Sequence, residues 1–139
     1  MPSGGRRKRP DEPPVFFVDR SLGRHIVPEV FRSAGFEVVL MAEVWPETEQ
    51  TVGDDEWIAR AHAEGWVALT KDPAIVRHHT PALERTTLSV FALPRADLRG
   101  DEMAHRFQAN LNRIIARALK PKPAVWVVHE KRLELRWRR

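Results

Sequence analysis

Two apolar runs of this chain each end in an acid, and a third segment opens on three. Asp19 ends "VFFVD", Asp72 ends "WVALTKD", and Asp54, Asp55 and Glu56 stand together in "GDDEWIARAHAEG". Such carboxylates cap a helix, bend a turn or hold a hard cation. Where several meet within a few ångströms they repel one another, and a proton or a divalent cation must settle the charge. Mg²⁺ takes oxygen ligands and keeps several waters, so acids gathered around it can promote attack of water on a phosphodiester. Arg20, Arg24, Lys71 and Arg77, with His78 and His79, flank these acids and could hold substrate phosphates.

Which role applies depends on the elements that position the acids. "VFFVD" carries four apolar residues in succession, the mark of a strand buried on both faces. "FEVVLM" (residues 36–41), "WVALTKD" (66–72) and "LSVFAL" (88–93) read as three further strands of that kind. "SLGRHIVPEVFRSAG" predicts a helix with Leu22, Ile26, Val30 and Phe31 inward, a late start because of Pro28, and a left-handed stop at Gly35. Residues 42–53 read as a loop. The helix after it turns Trp57, Ile58 and Ala61 inward and stops at Gly65. From Asp101 to Leu119, apolar residues at Met103, Phe107, Leu111, Ile114, Ile115 and Leu119 predict one long amphipathic helix. "AVWVVHEKRLELRW" predicts one or two short strands.

Strands alternating with helices imply an α/β domain, a three-layer α/β/α sandwich around a central, mainly parallel sheet. Ligands of such sheets bind at the carboxyl ends of the strands. A helix joining two parallel strands runs against them, so its amino end also lies on that edge. Topology alone therefore directs Asp19, Asp72 and the 54–56 acids to one rim.

Each acid also has a plainer explanation. Asp19 could cap the segment beginning at Ser21, Asp54 or Asp55 could cap its own helix, and Asp72 could be a turn residue before Pro73. These work one at a time, whereas a common rim for all three favours a shared site. The adjacent His78 and His79 point apart, and no HExxH spacing is present, which argues against zinc. Trp57, Trp66 and Trp126 fall in apolar patterns and read as core. Trp137 stands among arginines, either at a solvent-exposed edge or free to stack on a base.

Composition bounds the rest. The 139 residues are 42% hydrophobic, with five Trp and six Phe, enough for one domain with a real core. No apolar run approaches the roughly 20 residues of a membrane span, and no apolar stretch of a secretory signal follows the first basic residues. Cysteine is absent, which removes disulfides and thiolate metal sites. A cytoplasmic protein fits best. Basic residues outnumber acidic ones 23 to 19, concentrated in "RRKR" (Arg6 to Arg9) and "KRLELRWRR" (Lys131 to Arg139), a charge that suits a polyanion or simple solubility. Residues 1–14 hold four prolines and little apolar content, and read as a disordered basic arm.

"VFFVDRSLG", "GDDEWIARAHAEGWVALTKD" and "SVFAL", in that order, resemble the PIN-like domain family, which includes the VapC-type toxins of bacterial toxin–antitoxin pairs. The match is closest to the small PIN-like branch with a strand-end "DRSLG", a "DDEW" helix start and an "LTKD" strand end. It covers Val15 to Leu93, continues more loosely through "RGDEMAHRF", and leaves both basic tails unexplained. The resemblance implies a Mg²⁺- or Mn²⁺-dependent ribonuclease domain over residues 15–139, with a basic C-terminal tail. It implies Asp19 and Asp72 as catalytic metal ligands, joined by an acid of the 54–56 cluster. Asp54 aligns best there, Asp55 stays open, and Glu56 is the weaker candidate. An RNA substrate, a cognate antitoxin and a homodimer are implied in turn. One departure stands out, because many PIN domains carry another acid soon after the third-strand Asp, and "KDPAIVRHH" offers none before Glu84. Asp97 and Asp101 follow the fourth strand and could approach the rim.

The thinner acid set and the basic tails also suit a catalytically silent module that binds nucleic acid or a protein partner. A phosphoacceptor receiver fits poorly, since Thr70 and Lys71 precede Asp72 on one strand and no acid pair follows the first strand.

Overall fold

The computed structural model describes residues 12–139, so the arm expected at 1–14 lies almost wholly outside the described residues. Six strands form one sheet in the order β2-β1-β3-β4-β5-β6: β1 Val15–Val18, β2 Glu37–Leu40, β3 Val67–Thr70, β4 Ser89–Ala92, β5 Ala124–Val128 and β6 Leu133–Arg138. All neighbours pair in parallel except β5 and β6, which form an antiparallel hairpin. The three-layer α/β/α sandwich expected from the alternation of elements is the fold observed.

Successive residues of a strand face opposite sides, and the core divides accordingly. Phe16 and Val18 pack with Val27 and Phe31 of α1 (Ile26–Ser33), Met103 and Phe107 of α5 (Gly100–Ala109), and Ile114 of α6 (Leu111–Ala118). Phe17, between them, faces α3 (Asp54–Glu64) and α4 (Ile75–Glu84), stacked on Trp66 at 5.5 Å and tilted against Trp57 at 5.7 Å. Each fully buried aromatic of this kind contributes about 1.5–3 kcal/mol. Gly35 and Gly65 take left-handed φ of 93° and 76°, the helix stops expected of them.

Several expectations need correction. Within α1, Ile26 is 55% exposed and Val27 takes the inward position, because the helix begins only at Ile26 and its first turn sets the face. β2 is the sheet edge and only partly buried, not a fully buried strand, and Met41 leaves it to open a short helix, α2 (Met41–Val44). Residues 42–53 thus contain that helix and a 3-10 turn at Glu49–Thr51 instead of a plain loop. The long helix of 101–119 is two helices broken at Asn110, whose buried Nδ2 donates to the carbonyls of Arg106 (2.9 Å) and His129 (2.7 Å). Leu119 then falls outside the packed face and is 57% exposed. Trp137 does not stand free to stack on a base: it lies on the edge strand β6, partly buried, where it pairs with Val125 and packs against the Phe17 side of the core. Among the described residues, no helix is long and apolar enough to cross a membrane.

Candidate active site

The carboxyl ends of β1 and β3 and the amino end of α3 meet at one edge of the sheet. There a cleft of about 290 Å³ is lined by Asp19, Asp54, Asp72, Thr70, Lys71 and His79, among others. Asp19 continues the β1–β3 ladder, its backbone N–H donating to the Leu69 carbonyl at 3.1 Å. Its carboxylate is almost buried, 8% exposed, and makes no cap bond to the 3-10 turn that follows at Arg20–Leu22. Instead Oδ2 accepts two hydroxyl hydrogen bonds, from Thr70 Oγ1 at 2.8 Å and Ser21 Oγ at 2.9 Å. Burial raises the carboxyl pKa, which those two bonds pull back down, while the nearby Asp54 charge adds to the rise and Arg20 opposes it. The result is an acid held by its neighbours in a place where its charge is costly.

Neither Asp54 nor Asp55 caps α3. Gly53 is the N-cap, and the two acids fill the first turn, where the helix dipole favours negative charge. Asp54 Oδ1 accepts from the indole Nε1 of Trp57 at 2.8 Å, which fixes the carboxylate on the cleft wall. Asp55 does not itself line the cleft and is 73% exposed, with Oδ1 2.6 Å from Nδ1 of the cleft residue His79; Nε2 of the same ring is 3.3 Å from Asp54 Oδ2. His79 reaches both acids because α4 is kinked at that residue, two positions before Pro81, whose ring removes a helical N–H. Glu56 is exposed and does not line the cleft. Asp72 lines it and also forms a turn, Oδ1 accepting from the Ala74 N–H at 2.8 Å.

The four candidate phosphate ligands separate. Lys71 lines the cleft. Arg20 turns to the 3-10 segment, donating from Nη1 to the carbonyls of Glu49 (3.2 Å) and Val52 (3.4 Å). Arg24 pairs with the buried Glu49 carboxylate at 2.6 Å. Arg77 and Arg24 do not line the cleft. Asp97 and Asp101 bond Arg95 and Arg99 at 3.0 and 3.2 Å, and neither reaches the acids of β1 and β3.

Thr70 and Ser21 are the residues the acid pattern passed over, and His79, expected to hold substrate phosphate, pairs with Asp54 and Asp55 instead. A hydroxyl two residues before one strand-end acid, and another two residues after the other, are the signals that could have found these two. The kink that aims His79 is marked by Pro81 alone.

Oxygen donors of Asp19, Asp54 and Asp72, with a buried carboxylate beside a second one, have the chemistry a hard divalent cation requires. As the side chains lie, no three acidic or histidine groups among the described residues stand close enough to hold a metal ion together. Asp54 and Asp72 are turned onto Trp57 and the Ala74 amide, so a cation would have to draw both toward Asp19.

Comparison with known proteins bears on the same segment. The family model described as "PIN like domain" matches residues 14–95, which contain every residue of the cleft wall named above. A protein of Mycobacterium tuberculosis whose name, VapC45, provisionally assigns it as a ribonuclease is 39% identical over 123 residues, taking in 84% of this chain and 87% of its own. No solved structure gives a significant match.

Proposed function

This chain belongs to the PIN-like domain family, in its VapC-type branch, and we propose that it is a metal-dependent endoribonuclease. The observation that carries this reading is Asp19: a carboxylate buried at the carboxyl edge, held by Thr70 and Ser21 and burdened by Asp54. Such a group is held ready for a cation. Asp19, Asp54 and Asp72 would hold Mg²⁺ or Mn²⁺, with Asp55 and Glu56 outside the cleft. When bound, the ion supplies Lewis acidity toward a phosphodiester and acidifies water.

The chain's own residues do the remainder. Thr70 and Ser21 fix the Asp19 carboxylate and leave its second oxygen for the cation. Trp57 and His79 hold Asp54 at the cleft wall, and Lys71 contacts substrate phosphate. The ribonuclease name of the mycobacterial relative supports RNA over DNA. On the same footing we read the protein as the toxin of a toxin–antitoxin pair, cytoplasmic, restrained by a cognate antitoxin and able to form a homodimer.

The test is cleavage of RNA with Mg²⁺ or Mn²⁺, by the wild type and by Asp19→Asn and Asp72→Asn. Cleavage that needs the metal and falls by about 100-fold or more in both folded variants supports the reading; outer-sphere changes alone typically cost 10–100-fold. Full activity in both variants overturns it. One observation favours a second reading: the acids do not converge to ligand distance as the side chains lie. A silent RNA- or partner-binding module with this fold would bind RNA in a salt-dependent manner indifferent to divalent metal.

A further inference from the structure

A second concave site lies at the opposite edge of the sheet. β4 begins there at Ser89 and β5 at Ala124, whereas the acidic cleft follows the carboxyl ends of β1 and β3. The groove has a volume of about 340 Å³ and is rimmed by Arg117, Lys120, Lys122, Arg138 and Arg139, with no acidic side chain lining it among the described residues. Its floor is apolar. Trp126 and Leu135 contribute, Leu135 being 43% exposed, and the Arg117 guanidinium lies 4.5 Å over the Trp126 ring.

The frame is fixed. Ser89 Oγ donates to the Lys122 carbonyl at 2.8 Å, the Arg139 N–H donates to the Pro123 carbonyl, and Arg139 Nη1 donates to the Glu84 carbonyl at 2.8 Å. Five cationic side chains from two separate segments therefore share one rim, with no acidic side chain among the described residues lining it to pair with them. Like charges gathered this way repel unless a polyanion releases that strain. An aromatic and aliphatic floor beneath a cationic rim is the surface on which bases lie while phosphates meet the charges.

We propose that this groove is a second nucleic-acid contact, binding the backbone of single-stranded RNA whose scissile bond sits in the acidic cleft. The proposal rests on RNA being the substrate, and adds how a long RNA is told from a short one. Strands of four residues separate the two edges, roughly 13 Å along the strands at about 3.3 Å per residue, and β5 lies a further two strand spacings of about 4.8 Å from β3 across the sheet. A dinucleotide in the cleft cannot reach the groove, whereas a longer strand can run across to it.

The experiment uses the triple variant Lys120→Ala/Lys122→Ala/Arg138→Ala, with circular dichroism to establish that it folds. Binding of a labelled RNA of about 20 nucleotides is measured by anisotropy over a salt series in the Asp19→Asn background, so that nothing is cut. Cleavage by the otherwise wild-type enzyme is measured on the long RNA and on a dinucleotide. The expected result is a salt slope shallower by about 2, at roughly 0.7 for each lost phosphate contact. KM for the long RNA should rise about tenfold, with kcat and the dinucleotide kinetics unchanged. Wild-type affinity and slope in the triple variant would overturn the proposal. So would groove-dependent binding of polyglutamate without binding of RNA, which would make the groove a protein-docking surface. If the wild type binds RNA through the groove and cuts none, the catalytic reading fails and the groove assignment stands.

Discussion

Thr70 Oγ1 donates a 2.8 Å hydrogen bond to Asp19 Oδ2, tying the carboxyl ends of two adjacent parallel strands through the most buried acid of the cleft. The bond spans fifty-one positions of sequence and depends on the register that sets Val18 opposite Leu69. It stabilises the charged form of a carboxylate that burial works to neutralise.

Replacing that hydroxyl should be costly. Thr70→Val keeps the shape and removes the donor, so the metal-free protein should lose about 1.5–3 kcal/mol at neutral pH, the usual worth of a hydrogen bond to a charged group. Urea unfolding reads this directly. In the Asp19→Asn background the same substitution should cost clearly less, and equal costs in both backgrounds would show that the bond carries no charge stabilisation.

The pH dependence of stability follows from the raised Asp19 pKa. The folded state holds this proton more tightly than the unfolded state, whose pKa is near the ordinary 3.8. Stability from this group is thus fully present below that value and is lost as pH rises through the raised folded value. Asp19→Asn escapes the loss. Without metal its Tm should exceed the wild-type Tm at neutral pH, and the two should converge below pH 3.8. A wild type more stable than Asp19→Asn at neutral pH would reverse the sign and contradict the assignment.

Lys71 and Arg20 should part company. Lys71 lines the cleft, so Lys71→Ala should raise KM for RNA about tenfold with little change in stability. Arg20 holds the carbonyls of Glu49 and Val52, so Arg20→Ala should lower stability by about 1 kcal/mol. Steady-state kinetics paired with thermal unfolding separates the two effects.

Asn110 is the polar residue on which the break between α5 and α6 depends. Asn110→Ala leaves the His129 carbonyl without that donor and opens a small void, and should destabilise the protein by about 1–3 kcal/mol. Equilibrium unfolding in urea checks it.

Much of this fold is legible in the chain because local and global signals agree. The uninterrupted apolar runs of β1, β3 and β4 can only be strands covered on both faces, and Gly35 and Gly65 stop helices where a left-handed residue is needed. The common rim for Asp19, Asp54 and Asp72 follows from strand direction alone. What resisted reading depends on partners distant in sequence. The apolar period runs straight through Asn110, so the break there is visible only once His129 supplies its carbonyl. Residues 75–84 form a helix kinked at His79, two positions before Pro81, and that kink, which no periodic signal marks, is what brings His79 to Asp54 and Asp55. Arginines beside the acids in sequence looked like phosphate ligands, but Arg20 and Arg24 are drawn to the 49–52 segment, which no local pattern places near them.

The central claim is that Asp19, with Asp54 and Asp72, holds a divalent cation. Calorimetric titration of Mn²⁺ into the wild type and into Asp19→Asn tests it most directly, on folded protein and without any substrate. The expected result is binding by the wild type that weakens about 100-fold or more in the variant. Equal binding by both proteins, or none by the wild type at millimolar metal, would contradict it.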